Sequence, residues 1–571
     1  MTIITCYTAK DYHCGPLLLK RLLFCNMDVS SKAKWHHKAF IPTCTILSFA
    51  CVSMLLLHWH WQWQTLTYTP PASVDKDRRF ALVIPATGSS PELCKTVVTG
   101  LALGYPSPVI VNWGVDHRAL THWRGGRNLV KVPGVVEYLE AATRPDAHPS
   151  ERLNDDDIVL IVDGYDIWFQ LPAQVMLERY HKINREANER LQKEWNKHQR
   201  GPMPMRQTII GASGKRCDPK NENRGTKMQC DVWPESPLRK DLYGPNTDKD
   251  KTCWEAPQIN WDDLDVEHLE TDHTGKVKSR HCGAVRPRWL NGGLYMGPAG
   301  DLRRLFRRCL FTLQTGIGKG IKMRSEQSLA YEAISEQEVY RQWQRSNGNL
   351  KRGISKLMGD KLEYHIGLDY AEELSVQTQW AQDRNGRDHG AFVTLGNQEL
   401  IDQHSQALGI SPTRLRGLPD DIKSAPNPLS LLQPGANWTD MPLYADFFTE
   451  TVSAILHHNG VGSLKTHRST WWDRPWYYQH LRKLLHLRLR AKDEPEDPLA
   501  TVQTANGRVR YWAATAEQES KYPRQMKKTL KHRLDKMKFG DICRHKHSAP
   551  EGPNQEWWEE IFRDTGGPWG T

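Results

Sequence analysis

The sequence predicts a Rossmann-like α/β domain set behind an N-terminal transmembrane helix and followed by a helical C-terminal appendage. Three observations predict it. Short runs that are apolar on both faces (Phe80–Pro85, Val109–Asn112, and Asp157–Val162 after its first residue) alternate with helical patterns, as in a parallel sheet covered on both sides. Phe40–Leu57 holds 18 consecutive residues without a charge. From Thr466 onward the chain is rich in Trp and Arg and reads as helix over 476–491 and 520–538. At 571 residues it exceeds one ordinary core, and 39% hydrophobic with 25% charged residues is globular composition.

The uncharged run spans about 27 Å as a helix, enough for a thin hydrocarbon core. Trp59, Trp61 and Trp63 follow it, as at a membrane interface. Lys10, Lys20, Arg21, Lys32, Lys34 and Lys38 all precede it, so the expected topology is a type II anchor with the N-terminus in the cytoplasm. A cleaved signal peptide fits less well, because the run begins near residue 39 and lacks an A-x-A-like exit; a buried core helix is the alternative. The expected division is a tail 1–38, an anchor 39–60, a stem 61–79, a catalytic domain 80–465 with a Cys-rich insert 214–285, and a C-terminal region 466–571.

That topology places the chain after the anchor in the lumen of the Golgi or ER. Four cysteines, Cys217, Cys230, Cys253 and Cys282, fall in the insert without a close C-x-x-C pair, so two disulfides are expected there rather than zinc. Asn437-Trp438-Thr439 is an N-glycosylation sequon usable in the same compartment. The net charge of +11 divides into +4 over the first sixty residues and +7 over the rest. The basic stretch 523–546 reads as a solvated helix, and nucleic acid is not an expected partner.

Within the catalytic domain, Phe80–Pro85 ends in the turn-prone Ala86-Thr87-Gly88-Ser89-Ser90, and a helix starts at Pro91. A helix at Gly134–Ala142 leads to the strand Asp157–Val162. Pro172–His198 carries Val175, Met176, Tyr180, Ile183, Ala187 and Leu191 on one stripe of a long helix. Thr208–Ala212 is a further strand, and Arg288–Gly297 is a strand with a Gly-Gly break. Helices follow at Ala299–Leu313 and Ser325–Trp343, while 345–360 and 411–437 read as loops.

Asp163-Gly164-Tyr165-Asp166 directly follows the buried strand, at the sheet edge where open α/β folds bind ligands. Two carboxylates three apart in a tight turn can face one divalent cation, and hard oxygen ligands suit Mn²⁺ or Mg²⁺ bridging a diphosphate. An ordinary polar turn is the plain alternative. A haloacid-dehalogenase pattern needs its two acids two apart, which this spacing excludes.

Five segments in order, VDGYDIWFQLP, WLNGGLYMGPA, SEQSLAYEAI, HIGLDYAEEL and LHHNGVGSLK, resemble the glycosyltransferase domain of procollagen galactosyl- and glucosyltransferases and multifunctional lysyl hydroxylases. The likeness spans about residues 80–465 at the level of motifs, is interrupted by insertions, and is closest to a fungal type II membrane branch. It implies a GT-A fold, manganese dependence and a UDP-sugar donor. Carried over, it makes Asp163 and Asp166 metal ligands and puts His457 where the family supplies an imidazole from an H-G-N-G turn. His458 occupies the second position here, which leaves two imidazoles open.

The resemblance also puts Thr87 at the nucleotide and offers Trp113 for stacking on uracil or ribose, with core packing as the alternative. Lys131 and Lys465 become candidates to pair with phosphates, or solvated surface lysines. Asn291-Gly292-Gly293 matches a small-residue strand that lets the donor sugar approach, or else a β-bulge. The family's acidic run before Gln is Ser325-Glu326-Gln327 here, so Glu326 is the carboxylate left to orient an acceptor or act as base, or a helix N-terminal acid. Asp369 matches an L-D-H of the family and is a second catalytic candidate, or a loop cap. The reading is a metal-dependent transferase moving a hexose from a UDP-sugar to a hydroxyl of a protein or glycan. The alternative is a catalytically silent lumenal glycan- or nucleotide-binding protein. No hydroxylase half has a counterpart, because 466–571 is short and lacks H-x-D.

Overall fold

The computed structural model describes residues 76–115, 127–217, 230–249, 283–319, 325–346, 362–381, 388–460, 467–490, 497–513, 521–527, 530–532, 534–544 and 556–569. All lie in the unit Ser73–Thr571. β1 (Lys76–Pro85) runs through the middle of the sheet, because its side chains alternate between two cores. Phe80, Leu82 and Ile84 enter one, and Ala81 and Val83 the other. β2 (Val109–Val111) and β3 (Ile158–Val162) lie parallel to it. After β4 (Ile167–Phe169), the strands β5 (Ile209–Gly214), β6 (Trp289–Pro298) and β7 (Ile366–Asp369) extend the order to β2-β1-β3-β6-β5-β7. β6 is antiparallel to both neighbours. Its compact Arg-Trp-Leu-Asn-Gly-Gly pattern carries no signal of direction.

α1 (Pro91–Ala102) and α3 (Ala173–His198) cover the first core, while α2 (Lys131–Ala142), α4 (Ala299–Gly318) and α5 (Glu326–Arg345) cover the second. β8 (Ser375–Gln377), β9 (Gly390–Thr394), α6 (Gln398–Ala407), β10 (Pro442–Asp446) and β11 (Ile455–His457) follow. β4, β11 and β8 form a three-stranded sheet, and β9 pairs with β10.

The expected fold class requires correction. The C-terminal region is not a helical appendage on a GT-A domain. Its helix α7 (Leu481–Arg490) packs on α1, but the chain then makes β12 (Ala500–Thr504) and β13 (Gly507–Ala513). β13 lies parallel to the first half of β1, from Lys76↔Val509 to Phe80↔Ala513. Beyond it, β14 (Arg524–Gln525) lies parallel to β2 and pairs with β15 (Asp535–Lys536), where a helix over 520–538 was expected. The protein is a mixed α/β structure whose mostly parallel central sheet includes its C-terminal strands. The sequence held the signal: Ala500, Val502, Val509 and Tyr511 are buried while Thr501, Gln503 and Arg508 are exposed. That is a period of two on either side of Asn506-Gly507, a hairpin dipeptide, with Gly507 at φ 114°.

No helix among the described residues is long and apolar enough to cross a membrane, and the expected anchor at 39–60 lies outside them. Of the insert cysteines, Cys217 pairs with Cys230, and Cys253 and Cys282 are outside the described residues. Cys94 of α1 is bonded to Cys543 at the end of α8 (Phe539–Cys543), a pairing the spacing did not suggest.

Candidate metal centre

All five residues of β3 are buried, so the chain can turn only once it reaches the polar Asp163. Asp163 N–H donates to Gly293 O at 3.0 Å and continues the ladder with β6. Gly164 then passes the end of β1, where a Cβ would stand 2.8 Å from Pro85 O. The chain returns as β4, in which Ile167 pairs with His457 of β11. His458 N–H donates to Asp166 O at 2.8 Å, so turn and strand are locked together.

This pairing sets His457 Nε2 3.5 Å from Asp166 Oδ1 and 3.8 Å from Asp163 Oδ2. One ligand atom from each of the three lies within 4.8 Å of the others. The gaps are long for hydrogen bonds. They suit donors arranged around one cation, since donors about 2.2 Å from a common centre sit roughly 3–4 Å apart. Two carboxylates and one imidazole are a sensible set for Mn²⁺ or Mg²⁺. The imidazole Nδ1 is buried without a partner among the described residues, and only Nε2 faces the acids. Strand alternation sends the neighbouring His458 the other way. It is fully buried, 4.0 Å from the Trp168 ring and 6.0 Å from that of Trp471. Burial, helped by the charge of His467, holds its pKa well below the ordinary histidine value.

Asn291-Gly292-Gly293 forms a register break opposite Gly211/Ala212, and a Cβ on Gly292 would stand 3.1 Å from Glu326 Oε1. A Cβ on Gly293 would stand 2.1 Å from His457 Cε1. Gly293→Ala is therefore expected to displace the imidazole and weaken Mn²⁺ binding about 10- to 100-fold, by analogy with disturbed ligand orientation elsewhere. An EPR titration with free Mn²⁺ reads this, and an unchanged affinity would remove His457 from the centre.

Behind the imidazole, Asn291 Oδ1 accepts from Gly293 N–H at 2.9 Å. Gln377 Oε1 accepts from Asn291 Nδ2 at 2.9 Å and from Asn459 Nδ2 at 2.7 Å. Gln377 also pairs with His457 across β8 and β11. Sequence reasoning missed Gln377, which sits in a short strand with no motif around it.

Lys131 is buried, with Nζ 2.6 Å from Asp163 Oδ1, 3.5 Å from Glu326 Oε1, and donating to Gly292 O. It therefore holds Asp163 by one oxygen and leaves Oδ2 toward His457, instead of standing as a surface lysine. Burial lowers its pKa, but the charges of Asp163 and Glu326 outweigh that and hold it above the ordinary value. Glu326 is the first residue of α5, behind the N-cap Ser325, and is buried. Burial raises its carboxyl pKa against the opposing Lys131 charge, and Asp163 adds to the rise. Its two expected roles thus share one position, a helix N-terminus facing the centre through Lys131.

Asp369 behaves as a cap. Its Oδ1 accepts from Glu373 N–H at 2.9 Å, and its Oδ2 from Leu374 and Ser375 N–H at 2.6 and 3.4 Å. Burial, with Glu373 adding, pushes its pKa up to about 7 despite those bonds. No contact links its carboxylate to Asp163, Asp166 or His457 among the described residues.

Thr87 and Trp113 lie at the ends of β1 and β2, with Gly114 N–H donating to Thr87 O at 3.2 Å. Trp113 is half-buried against the first core. Tyr165 ties this loop to the acidic turn: its hydroxyl accepts from Thr87 and Gly88 N–H at 3.0 and 3.1 Å and donates to Gly88 O at 2.9 Å. The motif contained Tyr165, but its partners are 77 and 78 residues away and left no trace in the spacing. Lys465 lies outside the described residues. No protein-family model matches this chain, and no curated protein matches it.

Proposed function

We propose that the protein is a metal-dependent glycosyltransferase that moves a hexose from a UDP-sugar to a hydroxyl of a protein or glycan, with Asp163, Asp166 and His457 holding Mn²⁺ or Mg²⁺. The observation that carries this reading is the convergence of a strand-end acid pair with an imidazole almost three hundred residues downstream. The five ordered motifs that resemble procollagen glycosyltransferases support it. When bound, the cation supplies positive charge against which a diphosphate can leave. The chain itself contributes orientation. Lys131 fixes Asp163, Gly293 makes room for the His457 ring, and Tyr165 holds the Thr87–Gly88 loop beside the acidic turn. Glu326 is the carboxylate nearest this arrangement through Lys131, and is the group proposed to orient the acceptor hydroxyl.

The test is UDP release by the purified protein from a panel of UDP-hexoses, with and without Mn²⁺. Metal-stimulated release from one donor is expected, and identifies the sugar. UDP binding without turnover in the presence of acceptor glycans and glycoproteins would favour a silent binding protein. Absence of UDP binding at millimolar Mn²⁺ would refute the reading.

A further inference from the structure

Asn437-Trp438-Thr439 is the single N-x-S/T sequon of the chain. It sits on a closed strap. Asn427 caps the turn Pro428–Leu431 through Leu429 N–H at 3.0 Å, and its Nδ2 donates to Ala436 O at 3.4 Å. Trp438 points inward, 2% exposed, with Nε1 donating to Ala425 O at 3.0 Å and its ring edge-on to Trp476 at 5.2 Å. An inward middle residue leaves Asn437 outside. Asn437 Oδ1 accepts from Thr439 N–H at 3.1 Å, and its Nδ2 has no partner among the described residues.

Two further features belong to this surface. An open hollow of about 520 Å³ is lined by Thr394, Gly396, Asn397, Thr439 and Asp440, so the sequon's own threonine forms part of a polar recess. Leu431, on the same strap, is 73% exposed, above Phe311 at 62% and Leu487 at 37%. Buried disulfides at Cys94–Cys543 and Cys217–Cys230 argue for maturation in an oxidising compartment.

We propose that Asn437 carries an N-linked oligosaccharide whose innermost N-acetylhexosamine occupies this recess and whose bulk screens Leu431. The donor is a polyprenyl-diphosphate oligosaccharide. Asn437 Nδ2 forms a bond to C1 of the first sugar, and the C1–O bond to phosphate breaks. The diphosphate leaves with the electron pair, and Nδ2 gives one of its two protons to base. This inference does not depend on the transferase reading.

The experiment expresses the full chain in a secreting eukaryotic cell and compares it before and after amidase deglycosylation. Wild type is expected to lose the mass of one glycan and to show Asp at position 437 in the peptide. Asn437→Gln and Thr439→Ala are expected to lack the shift and Thr439→Ser to retain it. The Gly396 and Asn397 amides should exchange more slowly with the glycan than without it, and equal rates would overturn the seating in the recess. An unmodified Asn437 overturns the proposal. With Cys94–Cys543 oxidised the site is wrong, and with it reduced the compartment is wrong.

Discussion

Asp166→Asn and His457→Ala are each expected to lower metal-stimulated UDP release about 1,000-fold, the scale of several kcal/mol of charge stabilisation at a diphosphate. Lys131 pairs with Asp163 and Glu326, and the His457 ring faces Asp163 and Asp166, so both substitutions change a group of the proposed ligand set. Asp166→Asn keeps the size of the side chain and should fold as wild type does, whereas His457→Ala truncates a buried ring and should lower the stability of the metal-free protein by a cavity cost. The matching binding result is thermal. Mn²⁺ at 100 times its Kd should stabilise wild type by about 2.7 kcal/mol, and both variants should lose that increment. His458→Phe is the control. The His458 ring is 4.0 Å from that of Trp168 and 6.0 Å from that of Trp471, with both ring nitrogens unpartnered among the described residues, and an apolar ring of similar shape there should be neutral or stabilising. It should keep the Mn²⁺ increment. A response lost in His458→Phe and kept in His457→Ala would reverse the assignment of the two imidazoles.

The second large effect concerns Cys94–Cys543, which joins residues 449 apart. Both sulfurs are fully buried, and Ser90 N–H donates to Ile542 O at 2.9 Å beside them. The bond therefore clamps the C-terminal segment onto the helix that follows the Thr87–Ser90 loop. Cys94→Ala/Cys543→Ala is expected to lose about 4 kcal/mol, toward the upper end for native disulfides because the closed loop is so long. The check is the denaturant midpoint at unchanged slope, non-reduced against the variant. A loss below about 1 kcal/mol would mean that the C-terminal strands hold their place by sheet pairing alone. Of the pairings that join those strands to the rest of the sheet, β13 on β1 covers five residue pairs and β14 on β2 two.

Much of the α/β core was legible because its signals are local. A strand buried on both faces must be a continuous apolar run, so β1 and β3 were visible; an amphipathic stripe showed α3 almost to its ends, and α4 was expected over Ala299–Leu313 but runs on to Gly318. The C-terminal strands were equally legible as a period of two around Asn506-Gly507. Only β14 and β15 fall where a helix was expected, over 520–538, while β12 and β13 lie between the two expected helices of a region described as a helical appendage. The direction of β6, the partner of Cys94 and the role of Gln377 left no local signal at all.

Residues alone determined that two carboxylates follow a buried strand, three positions apart, since a chain emerging from a core must place polar groups where it turns. They also determined which segments could bury an apolar face. Tertiary structure decided the rest of the centre. His457 and His458 are adjacent and chemically identical, and only the pairing of β11 with β4 turns one ring to the acids and the other into an aromatic core. Lys131 was open between a phosphate partner and a solvated surface lysine, and only the fold sets its ammonium against Asp163. The physical reason is the same in each case. Propensity and periodicity act over a few residues of chain, whereas a ligand set is defined by strand pairings that join segments hundreds of residues apart.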